Sequence, residues 1–252
     1  MNGFGAIAGL ALLLVRPGFL VLATPFLGSG YAPAPLRVGL TLIIAIVLAP
    51  FVAVPEALTP AGVAIVVLRE VGIGLALSLA IRIVVLAADF AGHLTGYQIG
   101  LSMGSLIDPQ TGVRNNTIAI LYANLAIIMS FATNAHHSLL RALADSYRAL
   151  PIGLGGVDRS LADGVAGLIG AVFVLGVRIA MPVVVVLLLV ELALGILARV
   201  APSLNMMTAG APIRLIVGLL VVAATVTSLP PLFSRYLPAA FTTAGNIARA
   251  LR

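Results

Sequence analysis

The chain of 252 residues has no cysteine, no tryptophan and no lysine, and only 9% of its residues are charged. Each absence removes a class of function. Without cysteine there is no disulfide framework, no cysteine-ligated zinc and no thiol nucleophile. Without lysine the phosphate-cradling G-x-x-x-x-G-K-[ST] loop cannot be written. No H-E-x-x-H occurs among the three histidines, and the adjacent His136 and His137 point apart on a helix, a poor bidentate metal site. G-x-S-x-G is missing too, so a nucleophile elbow has no support. No cofactor is expected. Soluble chains average about 25% charged residues; this one lacks the polar side chains to cover a soluble core.

What it has is apolar. Hydrophobic residues make up 61% of the chain, and the mean hydropathy is +1.19. The class is an all-α polytopic membrane protein with about six hydrophobic segments arranged as kinked helical hairpins. Fourteen basic residues against eight acids give a net charge of +6, and every basic residue is arginine. They stand singly along apolar stretches, the pattern of membrane-end anchors rather than of a nucleic-acid surface. The first apolar segment lacks a basic flank, so no cleavable signal peptide is expected.

The most telling stretch is Val165 to Leu229. One apolar rod runs to about Val200 and a second from Ile213, each near the roughly 20 residues that span a bilayer. Pro202 and Pro212, which lack an N–H donor, are expected to stop the helices and mark their connection. The other segments run from about Phe4 to Leu22 with Arg16-Pro17 inside, Val38 to Val54, Ala61 to Ala88, and Thr117 to Ala132. The residues between Ala135 and Gly164 are more polar. The tail from Pro230 to Arg252 reads as an interfacial amphipathic segment. Even counting puts both termini on one side, and the arginine balance places the C-terminus in the cytoplasm.

A few groups interrupt the apolar pattern. Arg69, Glu70 and Arg82 lie in the third segment, Arg178, Glu191 and Arg199 in the first rod. An ionised group at membrane depth costs about 2.5–3.5 kcal/mol on insertion scales, so these should face protein or water. Arg69 and Glu70 are adjacent and need not pair; Arg178 and Glu191 are too far apart along one helix. Asp89 and His93 are four apart and can meet on one face. Gly92, Gly96, Gly100 and Gly104 recur every fourth residue, a bare stripe that lets another backbone approach. Pro109 and Gly112 then forbid a continued helix.

Three stretches together resemble one family. They are Gln98-Ile99-Gly100-Leu101-Ser102 running to Asp108-Pro109; Asn134-Ala135-His136-His137-Ser138-Leu139-Leu140 running to Leu150-Pro151-Ile152-Gly153; and Pro182 through Leu194-Gly195, Arg199, Pro202 and Asn205 to Gly210-Ala211-Pro212 and Gly218. Their order and spacing are similar to the FliR/SctT family of type III secretion export-gate membrane proteins. Glu70-Val71-Gly72-Ile73-Gly74 and Pro33 to Pro50 fit too. One departure is Ala135-His136-His137, where glycine before a single histidine is the family pattern.

The resemblance implies a subunit of the gate, not an enzyme, in the bacterial inner membrane at the basal body of a flagellum or injectisome, the flagellar system being preferred. FliP-type and FliQ-type subunits would be its partners, with FlhB- and FlhA-type export components, unfolded exported proteins and membrane lipid around it. Residues 1–164 would resemble the FliP-type subunit, with a pore loop near 102–116, and 165–252 the FliQ-type hairpin. The plug itself would be Ser102, Met103, Gly104, Ser105, Leu106, Ile107, Asp108, Pro109, Gln110, Thr111 and Gly112. Glu70, Arg82, Arg178, Glu191 and Arg199 would serve as buried charges or assembly contacts. The alternative is a self-contained small-solute transporter, which predicts an internal repeat and a site at broken helices; no repeat is evident. An intramembrane hydrolase has no motif.

Overall fold

Where water cannot compete for backbone groups, a chain satisfies them within helices. The computed structural model describes residues 3–28, 32–52, 60–101, 116–153, 160–200 and 206–249. Among these lie eight α-helices and no strand: α1 Gly3–Ala23, α2 Ala34–Leu48, α3 Pro60–Ile99, α4 Thr117–Ala132, α5 Ala135–Ala149, α6 Ser160–Val200, α7 Met206–Val226 and α8 Leu229–Arg249. A short 3-10 turn, Ala49–Phe51, extends α2. Three stretches are long and apolar enough to cross a membrane, Ala34–Phe51, Gly62–Ile99 and Ala166–Val200, and up to five if each broken helix pair counts as one span. The protein is an all-α membrane protein.

Three sequence expectations are corrected. The third segment does not end near Ala88: α3 continues to Ile99. Its stop is Gly100 at φ 91°, whose N–H bonds Tyr97 O while Leu101 N–H reaches back to Gly96 O, a glycine-closed helix end. Pro212 does not stop a helix either. It lies inside α7, which starts at Met206, because in an apolar setting the remaining backbone bonds have no water to lose to. Residues 201–205, including Pro202, lie outside the described residues. Finally, the tail is amphipathic, but Leu229, Phe233, Leu237, Ala244, Ile247 and Ala248 of α8 are buried within the protein rather than offered to an interface.

The chain forms two compact units interleaved along the sequence. The first comprises residues 1–83, 130–169 and 235–252. In it α1 buries Leu12, Leu13, Leu20 and Val21, and α3 comes so close that a Cβ on Gly74 would stand 2.6 Å from Arg16 O. The second comprises residues 84–129 and 170–234. There Asn116 caps α4, its Oδ1 accepting from Ile118 N–H (3.1 Å) and Ala119 N–H (3.4 Å). Its Nδ2 donates to the carbonyls of Gly92 and His93, 3.3 Å each. Gly92 and Gly96 leave room for this; a Cβ on either would collide with Ala119 or Asn116.

The hairpin is present. Glu191 of α6 pairs with Arg214 of α7 at 3.4 Å, and Gly210 faces Leu194. The partner number rises on one helix as it falls on the other, so the two run antiparallel. Higher on α6, Phe90 stacks edge-on against Phe173, ring centres 5.1 Å apart, and a Cβ on Gly176 would lie 2.5 Å from Phe90 Cδ1 and 2.9 Å from Ala87 O. Large apolar side chains stay exposed on α2 and its 3-10 extension (Leu36, Ile43, Ile46, Phe51) and on α6 (Leu188, Leu189, Leu192, Ile196). These are the faces lipid or further protein must cover.

Two glycines of α6 therefore answer substitution oppositely. Gly176→Val should lower stability by about 1–3 kcal/mol, since a backbone carbonyl blocks the new side chain. Gly170→Ala, with open space around it, should be neutral or raise stability by up to about 1 kcal/mol through helix propensity. Thermal unfolding of the detergent-solubilised variants reads both.

Candidate functional site

Arg16 sits in α1 between Val15 and Pro17, fully buried at 0% exposure. A guanidinium carries five N–H donors and cannot be deprotonated in a protein, so its surroundings must supply acceptors. They do. Nε donates to Glu70 Oε2 at 2.7 Å and Nη2 to Glu70 Oε1 at 2.9 Å, a two-bond side-on pair with a carboxylate that is itself fully buried. Nη1 donates to Ser146 Oγ at 2.8 Å, and Nη2 also to Leu150 O at 2.9 Å. Leu150 is the residue closing α5, so the arginine satisfies one of the orphan carbonyls at a negative helix end. The Tyr147 ring lies beneath the guanidinium, 4.1 Å from Cζ to ring centre.

The neighbouring groups close their own hydrogen bonds. Ser146 Oγ donates to Leu143 O at 2.6 Å and so keeps its lone pairs for Arg16. Tyr147 OH donates to Leu13 O at 3.2 Å. That carbonyl would ordinarily accept from the N–H four residues on, but residue 17 is proline and has none. The proline that breaks the α1 ladder thus creates the acceptor that seats the tyrosine under the arginine. Gly74, one turn along from Glu70, supplies the closeness of α3 to α1 that the short ion pair requires. The cluster ties α1, α3 and α5 together. Its carboxylate and guanidinium are engaged by one another and by α5, so the role it shows is positional.

The remaining sequence candidates are distributed. Arg82 is exposed, with Nη1 3.4 Å from Ala23 O. Glu191 meets Arg214, not Arg178; Arg178 and Arg199 are exposed on α6. Asp89 and His93 do meet, at 3.7 Å, both part-exposed. Ser102, Met103, Gly104, Ser105, Leu106, Ile107, Asp108, Pro109, Gln110, Thr111 and Gly112 lie outside the described residues. Among the described residues no group of three or more His, Asp or Glu side chains could hold a metal ion. Sequence reasoning missed Arg16, Ser146, Tyr147 and Arg214 as partners. One signal was available: Arg16 and Glu70 are a lone cation and a lone anion in separate apolar segments, and each needs the other.

The sequence matches the family described as "Bacterial export proteins, family 1" over residues 7–240. The chain belongs to this family. Flagellar biosynthetic protein FliR of Pectobacterium carotovorum is 32% identical over 199 residues, 77% of this chain and 75% of that protein. FliR of Bacillus subtilis is 29% identical over 212 residues, covering 82% and 81%. The Yop proteins translocation protein T of Yersinia pestis is 27% identical over 148 residues, covering 58% and 57%. A bacterial export protein built this way is an embedded component of an export apparatus, and it works beside other components.

Removing one half of the central pair is the direct test of its weight in this export protein. Glu70→Ala leaves the Arg16 charge buried without its counter-charge and should cost about 3–5 kcal/mol, seen as lost folded yield. The double variant Arg16→Met with Glu70→Leu removes both charges and should recover most of that loss. Tyr147→Phe keeps the ring and loses the bond to Leu13 O, a change of about 1 kcal/mol. Thermal midpoints of the four purified proteins rank these effects.

Proposed function

We propose that the protein is a subunit of a type III protein export gate, of the flagellar kind, in the bacterial inner membrane at the basal body. The observation that carries this is the family match across residues 7–240, together with relatives named for flagellar biosynthesis. In this reading residues 1–164 resemble a FliP-type subunit and stand beside FliP-type partners, and the α6–α7 hairpin with α8, from residue 165 on, takes the place of a FliQ-type subunit. FlhB- and FlhA-type components lie on the cytoplasmic side, and unfolded exported proteins pass through. The gate subunit does no chemistry of its own. The exposed apolar faces of α2 and α6 support the reading, since they require cover. So does Arg199, a cation exposed on an apolar helix, for which a partner subunit is a cheaper neighbour than lipid.

The segment from Ser102 to Gly112 is the proposed closing plug. Its sequence joins Met103, Leu106 and Ile107 to Asp108-Pro109, and an apolar constriction closes a pore by excluding water. Its flanks support the assignment. Gly100 ends α3 sharply, and Asn116 fastens the start of α4 back onto α3 at Gly92 and His93. A segment held at its base in this way can close a channel without disturbing the helices.

Two experiments test the reading. Affinity purification of the full chain should bring out two other small membrane proteins in a stable complex; recovery as a homo-oligomer alone would sink the gate assignment. Deleting Leu106 to Thr111 should leave that complex intact and raise ion conductance in single-channel recordings. A deletion as tight as the parent would remove the plug while leaving the gate assignment standing.

A further inference from the structure

A groove of about 450 Å³ runs between α1 and α2 in the first unit, within the roughly 300–1,000 Å³ of ligand-binding pockets. Leu14, Gly18, Val38 and Leu42 line it, and a Cβ on Gly18 would rest 3.6 Å from Thr41 Cγ2, so a methyl group and a bare backbone face each other across it. The Thr41 hydroxyl is spent on Arg37 O at 2.8 Å. The remaining polar group in the lining is the Arg37 guanidinium, whose Nε is shut away from solvent and bonds to nothing. α2 has no acid in its first turn and no side-chain cap at its start, so the positive end of the helix adds to the arginine.

Depth decides what belongs there. Arg37 is in the first turn of the apolar stretch Ala34–Phe51; if that stretch spans the bilayer, its guanidinium falls at the edge of the hydrocarbon layer, where lipid phosphates lie and arginines anchor. Val38 follows Arg37 directly and Leu42 lies more than a turn deeper on α2, and both are exposed to whatever surrounds the helix. We propose that this groove holds one acyl chain of an anionic phospholipid, with the lipid phosphate on Arg37. An apolar slot with one arginine in its lining, unpaired at Nε, matches that molecule at both ends: the chain fills the slot and the phosphate meets the guanidinium.

The test uses the full chain. Native mass spectrometry is run after reconstitution in nanodiscs of phosphatidylglycerol or of phosphatidylcholine. Wild type should retain one phosphatidylglycerol in about fivefold preference, the size expected of one arginine at a membrane surface. Arg37→Gln should abolish the preference, and Gly18→Leu, which fills the slot, should reduce retention of both lipids. Should Gly18→Leu fail to fold, Arg37→Gln still decides. A photo-cross-linking amino acid in place of Leu42 should give adducts of lipid mass in native membranes. Equal retention of the two lipids by wild type, or adducts of protein mass alone, would overturn the proposal and assign the groove to a partner subunit.

Discussion

An arginine carried by a helix into an apolar protein keeps its charge, so Arg16 dictates what must surround it. Charge balance brings Glu70 on α3. Geometry brings the end of α5, because two further N–H groups point at Ser146 and Leu150. Three helices from separate parts of the chain are thereby fixed in register by a group with a radius of a few ångströms. Such a pair adds little net stability over a well-packed apolar substitute; what it adds is a single allowed arrangement. Leucine against leucine would tolerate a slip of one turn along α1, whereas a fork of N–H groups on a carboxylate does not.

Close backbone approach is the second constraint. In an apolar surrounding the attraction between helices comes largely from van der Waals contact and a few polar bonds, so small residues set how near the axes come. Gly74 does this for the first unit, Gly92, Gly96 and Gly176 for the second. The polar bonds follow from the nearness: Asn116 reaches two α3 carbonyls only because Gly92 and Gly96 offer no side chain there. The hairpin obeys a looser version, with Glu191 and Arg214 part-exposed at 3.4 Å, as befits a face left for neighbours.

Much of this was legible in the sequence. Composition fixed the class, apolar runs located the helices, and α4 was bounded at Thr117 and Ala132 by the polar residues on either side. The glycine stripe was readable as a contact surface; Gly92 and Gly96 serve it inside α3, and Gly100 closes the helix. What could not be read was pairing at long separation. Glu70 lies 54 residues from Arg16, and Ser146 lies 130; no local pattern links them. Tyr147 was hidden further, because its place depends on a carbonyl freed by Pro17, an effect of a missing hydrogen. Pro212 misled for the complementary reason. A proline stops helices in water, where the exposed groups it leaves are readily hydrated, and is tolerated where they are not.

The same separation sets a timetable. At about 5–20 residues per second of synthesis, Glu70 emerges roughly 3–11 s after Arg16, and the residues of α5 roughly 6–26 s after it. Before Glu70 emerges α1 carries a charge without its counter-charge, and the Leu13 carbonyl lacks its tyrosine for longer still. For a lone α1 in lipid, that charge costs about 2.5–3.5 kcal/mol on insertion scales until Glu70 can meet it. What makes the first helix acceptable in an apolar setting is a carboxylate on the third.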